Sequence, residues 1–135
     1  MNPAYLDTHF LGSLNLETLP DHFFIITASN PMDVRLSDLK NEQRNKKLLV
    51  SIRESQCLVL PVTGASKDLT HQEQGFLVKT SKMQALIWGK EFKQRAIFEI
   101  RNDRLFILSC FVRCKDIYVG SFTDRWVGVN EEKMR

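Results

Sequence analysis

No stretch of this chain comes near the roughly 20 consecutive apolar residues that a membrane-crossing helix requires, so no span is expected. The opening Met-Asn-Pro-Ala-Tyr-Leu-Asp has none of the basic, apolar and small-residue succession of a secretory leader. Cysteine is scarce and odd in number, three in all. Cys57 and Cys110 sit in apolar runs, where a free thiol behaves as a small hydrophobe, so a disulfide scaffold is not expected and the cytoplasm is. Blocks of like charge are missing as well: the net charge is +3 with both signs interspersed, which disfavours a dedicated nucleic-acid binder. No Walker A motif, dinucleotide glycine fingerprint or nucleophile elbow occurs, so no cofactor is expected.

What is there is an ordinary globular composition, 43% hydrophobic and 26% charged over 135 residues, the size of one domain. Residues 3 to 16 form a segment whose Tyr5, Leu6, Phe10 and Leu11 can pack on a core spanning roughly 22 to 112, and residues 130 to 135 are expected to fray. Residues 23 to 27, aromatic and β-branched, read as a buried strand ended by Asn30-Pro31. Ser37 caps a helix to about residue 55, on which Asn41, Asn45, Leu48 and Ile52 share a stripe. A second strand over 57 to 62 leads into a polar connection of residues 63 to 74, then a third strand over 76 to 79. Ser81 caps a second helix whose apolar face is read as Met83, Leu86, Ile87 and Trp88, ending at Phe92. Strands over 95 to 100 and 105 to 112 follow, around an Asn102-Asp103 turn.

This order predicts an α+β, ferredoxin-like two-layer sandwich, an antiparallel sheet with two helices on one face plus an extra C-terminal strand. Alternating the direction of successive elements brings Thr27, Asn30, Asn41, Arg44, Glu73 and Gln94 to one edge of that sheet. The amides at the start of the first helix and the guanidinium of Arg44 are suited to an anion there.

A run of short motifs in fixed order, Thr27-Ala28-x-Asn30-Pro31, Ser37, Asn41, Arg44-Asn45 and Leu48, Pro61 and Gly64, falls mainly on this edge. It continues through Glu73, Phe76-Leu77-Val78, Ala85 and Phe92-x-Gln94-x-Ala96-Ile97, after an opening Ala4-Tyr5-x-x-Thr8-x-Phe10. The pattern, over roughly residues 4 to 109, resembles a bacterial family catalogued as domain of unknown function 3293. That resemblance implies site positions and no established activity. Where the family often has tryptophan, serine and glycine, this chain has His71, Gly75 and Lys93.

Each candidate has a plainer alternative. Glu73 could be a general acid or base, or a loop carboxylate accepting backbone or Arg44 hydrogen bonds, and the second is favoured. Asn41 and Asn45 could read a ligand or satisfy the turn after the first strand, and Gln94 leans to a structural role. His71-x-Glu73 echoes the zinc deaminase signature without its Pro-Cys-x-x-Cys, so no metal is expected. Cys114, between Arg113 and Lys115, is the more reactive thiol, through exposure. Lys46, Lys47, Lys90, Lys93 and Arg95 read as solvated surface ahead of a phosphate-binding patch. The leading expectation is a binding or regulatory module holding a small polar, anionic ligand or a partner segment at Thr27, Asn30, Asn41, Arg44, Glu73 and Gln94. A small hydrolase or transferase using Glu73 is second and weak nucleic-acid association third, while a homodimer stays open.

Overall fold

Residues 3–128 are described by the computed structural model. In chain order the strands and helices are β1 (His9–Leu11), β2 (His22–Ile26), α1 (Asp38–Glu54), β3 (Val59–Ala65), β4 (Gln72–Val78), α2 (Lys82–Glu91), β5 (Ala96–Arg101), β6 (Arg104–Ser109), β7 (Ile117–Ser121) and α3 (Phe122–Arg125). The fold is α+β: a curled antiparallel sheet in the order β1-β3-β4-β2-β5-β6-β7, with three helices. No described helix is long and apolar enough to cross a membrane. The tail over 130 to 135 lies outside the described residues.

Strand β2 shows why the sheet is covered on both sides. Its Phe23, Phe24, Ile25 and Ile26 are all buried, a continuous run that only a strand with two covered faces tolerates. Phe24 and Ile26 face α1 and α2, packing with Leu48, Ile52, Ala85 and Trp88. Phe23 and Ile25 face the opposite core, with Leu77, Phe98, Ile100 and Leu105, closed over by Phe10 and Phe122. Tyr5, Leu14, Leu16, Leu19 and Trp126 pack against this second core.

The expected sandwich had residues 3 to 16 packed on the core without assigning them a face, and did not include β1, β7 or α3. Strand β1 is three residues long, too short to show an alternation, and exists because its backbone pairs with β3, Phe10 opposite Gly64. The sheet curls until its ends approach: Phe10 and Trp126 form a bridge, and Val127 N–H donates to Phe10 O at 2.8 Å. Arg125 clamps the seam, donating to Leu6 O (2.8 Å), Thr8 O (3.1 Å) and Val119 O (2.9 Å). The bridge gives the short β1 edge a backbone partner, which leaves less of that edge free as a template for aggregation.

Three further readings change. Half of the expected polar connection over 63 to 74 is strand, with Thr63, Gly64 and Ala65 paired to Gln74, Glu73 and Gln72; residues 66–71 turn the hairpin. The lowered pKa of Asp68, about 2, comes from the Ser66 and Thr70 hydroxyls and the Thr70 amide that hold that turn. On α2 the buried stripe is Ala85, Trp88 and Gly89 with Phe92, while Met83 is 75% and Ile87 49% exposed. Gly89 fixes this face, since a Cβ there would sit 2.5 Å from Cys110 Sγ. On α1 the stripe of Asn45, Leu48 and Ile52 is buried, and Ser37 accepts from Lys40 N–H. Cys57 precedes β3 and is only half-buried.

Candidate functional site

The chain leaves β2 through a strap over residues 27–33 in which Asn30, Met32 and Asp33 all have left-handed φ, of 48°, 50° and 62°. Three non-glycine residues in that region are costly, and the strap keeps its shape because side chains satisfy its backbone. Buried Asn45 accepts from Ala28 N–H and donates to Ser29 Oγ, both at 2.9 Å. Asn41 and Asn30 bond reciprocally: Asn30 N–H donates to Asn41 Oδ1 and Asn41 Nδ2 donates to Asn30 Oδ1, each at 2.9 Å. Arg44 donates from Nε to Ala28 O and from Nη2 to Phe92 O, both at 2.6 Å, and desolvation lowers its pKa. Thr27 Oγ1 donates to Gln74 O at 2.6 Å and accepts from Ser29 N–H at 3.0 Å.

Gln94 is 4% exposed and donates from Nε2 to Ser29 O (3.0 Å) and Phe92 O (3.1 Å). It is positioned by the end of α2, where Lys93 takes the left-handed conformation (φ 55°). Lys93 N–H bonds Lys90 O and Gln94 N–H bonds Gly89 O at 2.8 Å, the paired bonds of a helix stop that favours glycine at position 93.

On the sheet face away from α1 and α2 lies a cavity of about 250 Å³. Its apolar lining includes Phe10, Ile25, Ala96 and Phe98; its polar lining includes Thr27, Asp33, His71, Glu73 and Gln94. The cavity follows from which residues occupy one pleat face. Gly64 sits directly opposite Glu73, and Gly75 two positions beyond Glu73 sits opposite Val62, so the side chains around the carboxyl are missing on both strands. At Gly75 there is no room for one: a Cβ would lie 2.8 Å from Ile26 O.

Glu73 Oε1 accepts from Asn30 Nδ2 at 2.7 Å. Burial raises its pKa above the ordinary carboxylate range, the Asn30 bond opposes this, and the charge of Asp33 adds to the rise. Tyr5 donates its hydroxyl to Asp33 Oδ1 at 3.0 Å, and Arg95 Nε lies 3.0 Å from Asp33 Oδ2. Burial, and then Asp33, push the Tyr5 phenol up, so it stays protonated and donating.

Of the six residues read from the sequence, Thr27, Glu73 and Gln94 line the cavity, and Asn30 reaches it through Glu73. Asn41 and Arg44 serve the strap's backbone and are not among the lining residues. The expected hydrogen bond between Arg44 and Glu73 is replaced by the neutral one from Asn30. Tyr5 and Asp33 were not read as site residues. Tyr5, Thr8 and Phe10, three of the spelled residues of the opening motif, line the cavity, and that motif was the available signal; Asp33 had none. Among the described residues no group of three or more His, Cys, Asp or Glu could hold a metal ion.

No curated protein and no solved structure matches this chain. Residues 26–97, more than half of it, do match a family; they run from the last residue of β2 through the strap and both long helices to Ile97. The stretch contains Glu73, Gln94 and all the side chains that brace the strap, and the chain belongs to the family described as protein of unknown function, DUF3293.

Proposed function

We propose that this protein is a binding module for a small molecule, held in the cavity between the second core and the strap. The observation that carries the reading is the cavity itself: an apolar floor with a few convergent polar groups and a carboxyl of perturbed pKa is the usual form of a small-molecule site. At about 250 Å³ it is somewhat below the roughly 300 Å³ at which sites for drug-sized ligands begin, so the ligand is compact. The anionic ligand expected from Arg44 loses its support, because that guanidinium is committed to two carbonyls and Glu73 and Asp33 line the cavity. We read β2-α1-β3-β4-α2-β5 as a ferredoxin-like unit elaborated by both ends of the chain, and the cytoplasm as its setting.

Ligand-observed NMR with small fragments, cationic, neutral and anionic, tests the proposal, repeated on Gly64→Leu. A Cβ at Gly64 meets nothing closer than 3.8 Å, so a leucine there has room to enter and fill the cavity. Saturable binding to the natural chain and its loss in Gly64→Leu is the expected outcome; equal binding to both, or to neither, overturns it.

A second reading is a small hydrolase or transferase using Glu73 as acid or base. It is favoured by one observation, a carboxyl of raised pKa beside a half-open cavity.

A further inference from the structure

The polar groups that line the cavity differ in how much of their hydrogen-bonding capacity the protein itself consumes. Gln94 can offer two carbonyls only its amide nitrogen, which fixes the amide's orientation and turns Oε1 away from them. That oxygen, on a side chain only 4% exposed, accepts no hydrogen bond from any described residue. Glu73 repeats the arrangement: Oε1 is held by Asn30, and Oε2 accepts from no described residue. Both groups have their other end fixed by the strap, so the spare oxygens cannot easily turn to new partners within the protein. The nearby cations are already committed, Arg95 to Asp33 and Arg44 to backbone carbonyls. Asp33 has both oxygens engaged, by Tyr5 and Arg95. Three aromatic rings form part of the wall: Phe98 lies 5.1 Å from Phe10 and 6.2 Å from Tyr5 between ring centroids, and ring faces attract cations.

From two spare acceptors, one of them a carboxylate, beside an aromatic wall, we infer that the ligand is a small organic cation, a primary ammonium or amidinium on a compact apolar body. The inference rests on the binding-module reading and narrows it. An anion would meet Glu73 and Asp33, with His71 the one basic residue among the described lining residues. A neutral ligand would leave the Glu73 charge uncompensated beyond the Asn30 bond, which costs binding energy when water is excluded. An ammonium group satisfies both oxygens, as three N–H donors allow.

Three probes that share one ring and differ in head-group charge test this: benzylammonium, benzyl alcohol and benzoate, titrated by ligand-observed NMR near neutral pH. The expected result is that benzylammonium binds at least tenfold more tightly than benzyl alcohol and that benzoate binds least. Glu73→Gln, whose amide oxygen can still accept from Asn30 Nδ2, should abolish the ammonium's advantage, so that benzyl alcohol binds at least as tightly as benzylammonium. Gly64→Leu should block all three probes. Binding of benzyl alcohol or benzoate as tight as that of benzylammonium overturns the cation assignment and leaves the binding module standing. So does an ammonium preference that survives in Glu73→Gln. Failure of all three probes to bind the natural chain overturns both.

Discussion

Two glutamates on neighbouring parts of the sheet sit in contrasting company. Glu99 on β5 is 3% exposed and has a charged or titratable partner on each oxygen: His22 Nε2 at 2.6 Å from Oε2, and Arg101 Nε at 3.3 Å from Oε1. The Arg101 contact is in ion-pair range without hydrogen-bond alignment, and Arg101 also stacks on Phe106 and reaches Asp116 at 3.6 Å. Glu73 on β4 has a neutral amide on one oxygen and open cavity beside it. Both carboxyls are removed from bulk water, which by itself disfavours charge. At Glu99 the fold supplies the compensation. At Glu73 it supplies half, and a bound cation would supply the remainder.

The comparison can be broken from either side. The largest effect is expected at His22→Ala, which strips Glu99 of its shorter contact. Breaking a buried pair costs about 3–5 kcal/mol, but His22 is 43% exposed and Arg101 remains, so a loss of about 2 kcal/mol is expected. Urea unfolding measures it, and a loss below about 0.5 kcal/mol would mean Glu99 is held by something other than its partners. Lys93→Gly should add about 1 kcal/mol, because glycine accepts the left-handed φ of 55° at the end of α2 without the strain a side chain brings. Binding of the cavity's ligand should be unaffected by that change, since Gln94 keeps the same backbone bond to Gly89; a stability loss would contradict the geometry.

The smallest effect is at Glu73→Gln, expected to stabilise the empty protein at neutral pH by a few tenths of a kcal/mol. The sign follows from its raised pKa. Between the ordinary glutamate value of about 4.3 and the raised one, the folded chain holds the Glu73 proton while the unfolded chain has released it, so stability declines as pH rises through that window. The glutamine variant should lack that decline, and the two stability curves should converge below the ordinary glutamate value. A variant less stable than the natural chain at neutral pH would show that the carboxylate is compensated in a way the Asn30 bond does not account for.

How much of this was legible in the sequence depended on the length of each signal. Residues 23 to 26 announce a strand covered on both faces, and Ser37 with Asn45, Leu48 and Ile52 announce a capped helix and its buried stripe. The face of α2 was misread because Met83 and Ile87 are apolar yet exposed, while the contact is made by Ala85, Trp88 and a glycine that hydropathy does not count. Strand β1 carries too little pattern of its own and is created by its neighbour, while in β7 the strand-forming Ile117-Tyr118-Val119 is cut short by Gly120 and Ser121, which read as turn. The site divides in the same way. Element order placed Thr27, Glu73 and Gln94 on one edge, but it could not say that Asn41 and Arg44 spend their hydrogen bonds on backbone. Nor could it join Tyr5 to Asp33, 28 positions away, because that contact depends on how the N-terminal segment crosses the second core.

The seam between β1 and Trp126 carries a practical consequence. Residues 26–97 contain the carboxyl and the amide of the cavity, but its roof comes from Tyr5, Thr8 and Phe10, which Arg125 and Val127 hold in place from the far end of the chain. A fragment trimmed to the matched residues would keep Glu73 and Gln94 and present them to open water, where neither oxygen lacks a partner. Recombinant samples shortened or tagged close to either terminus therefore risk reporting an inert protein for a reason unrelated to the chemistry of the pocket.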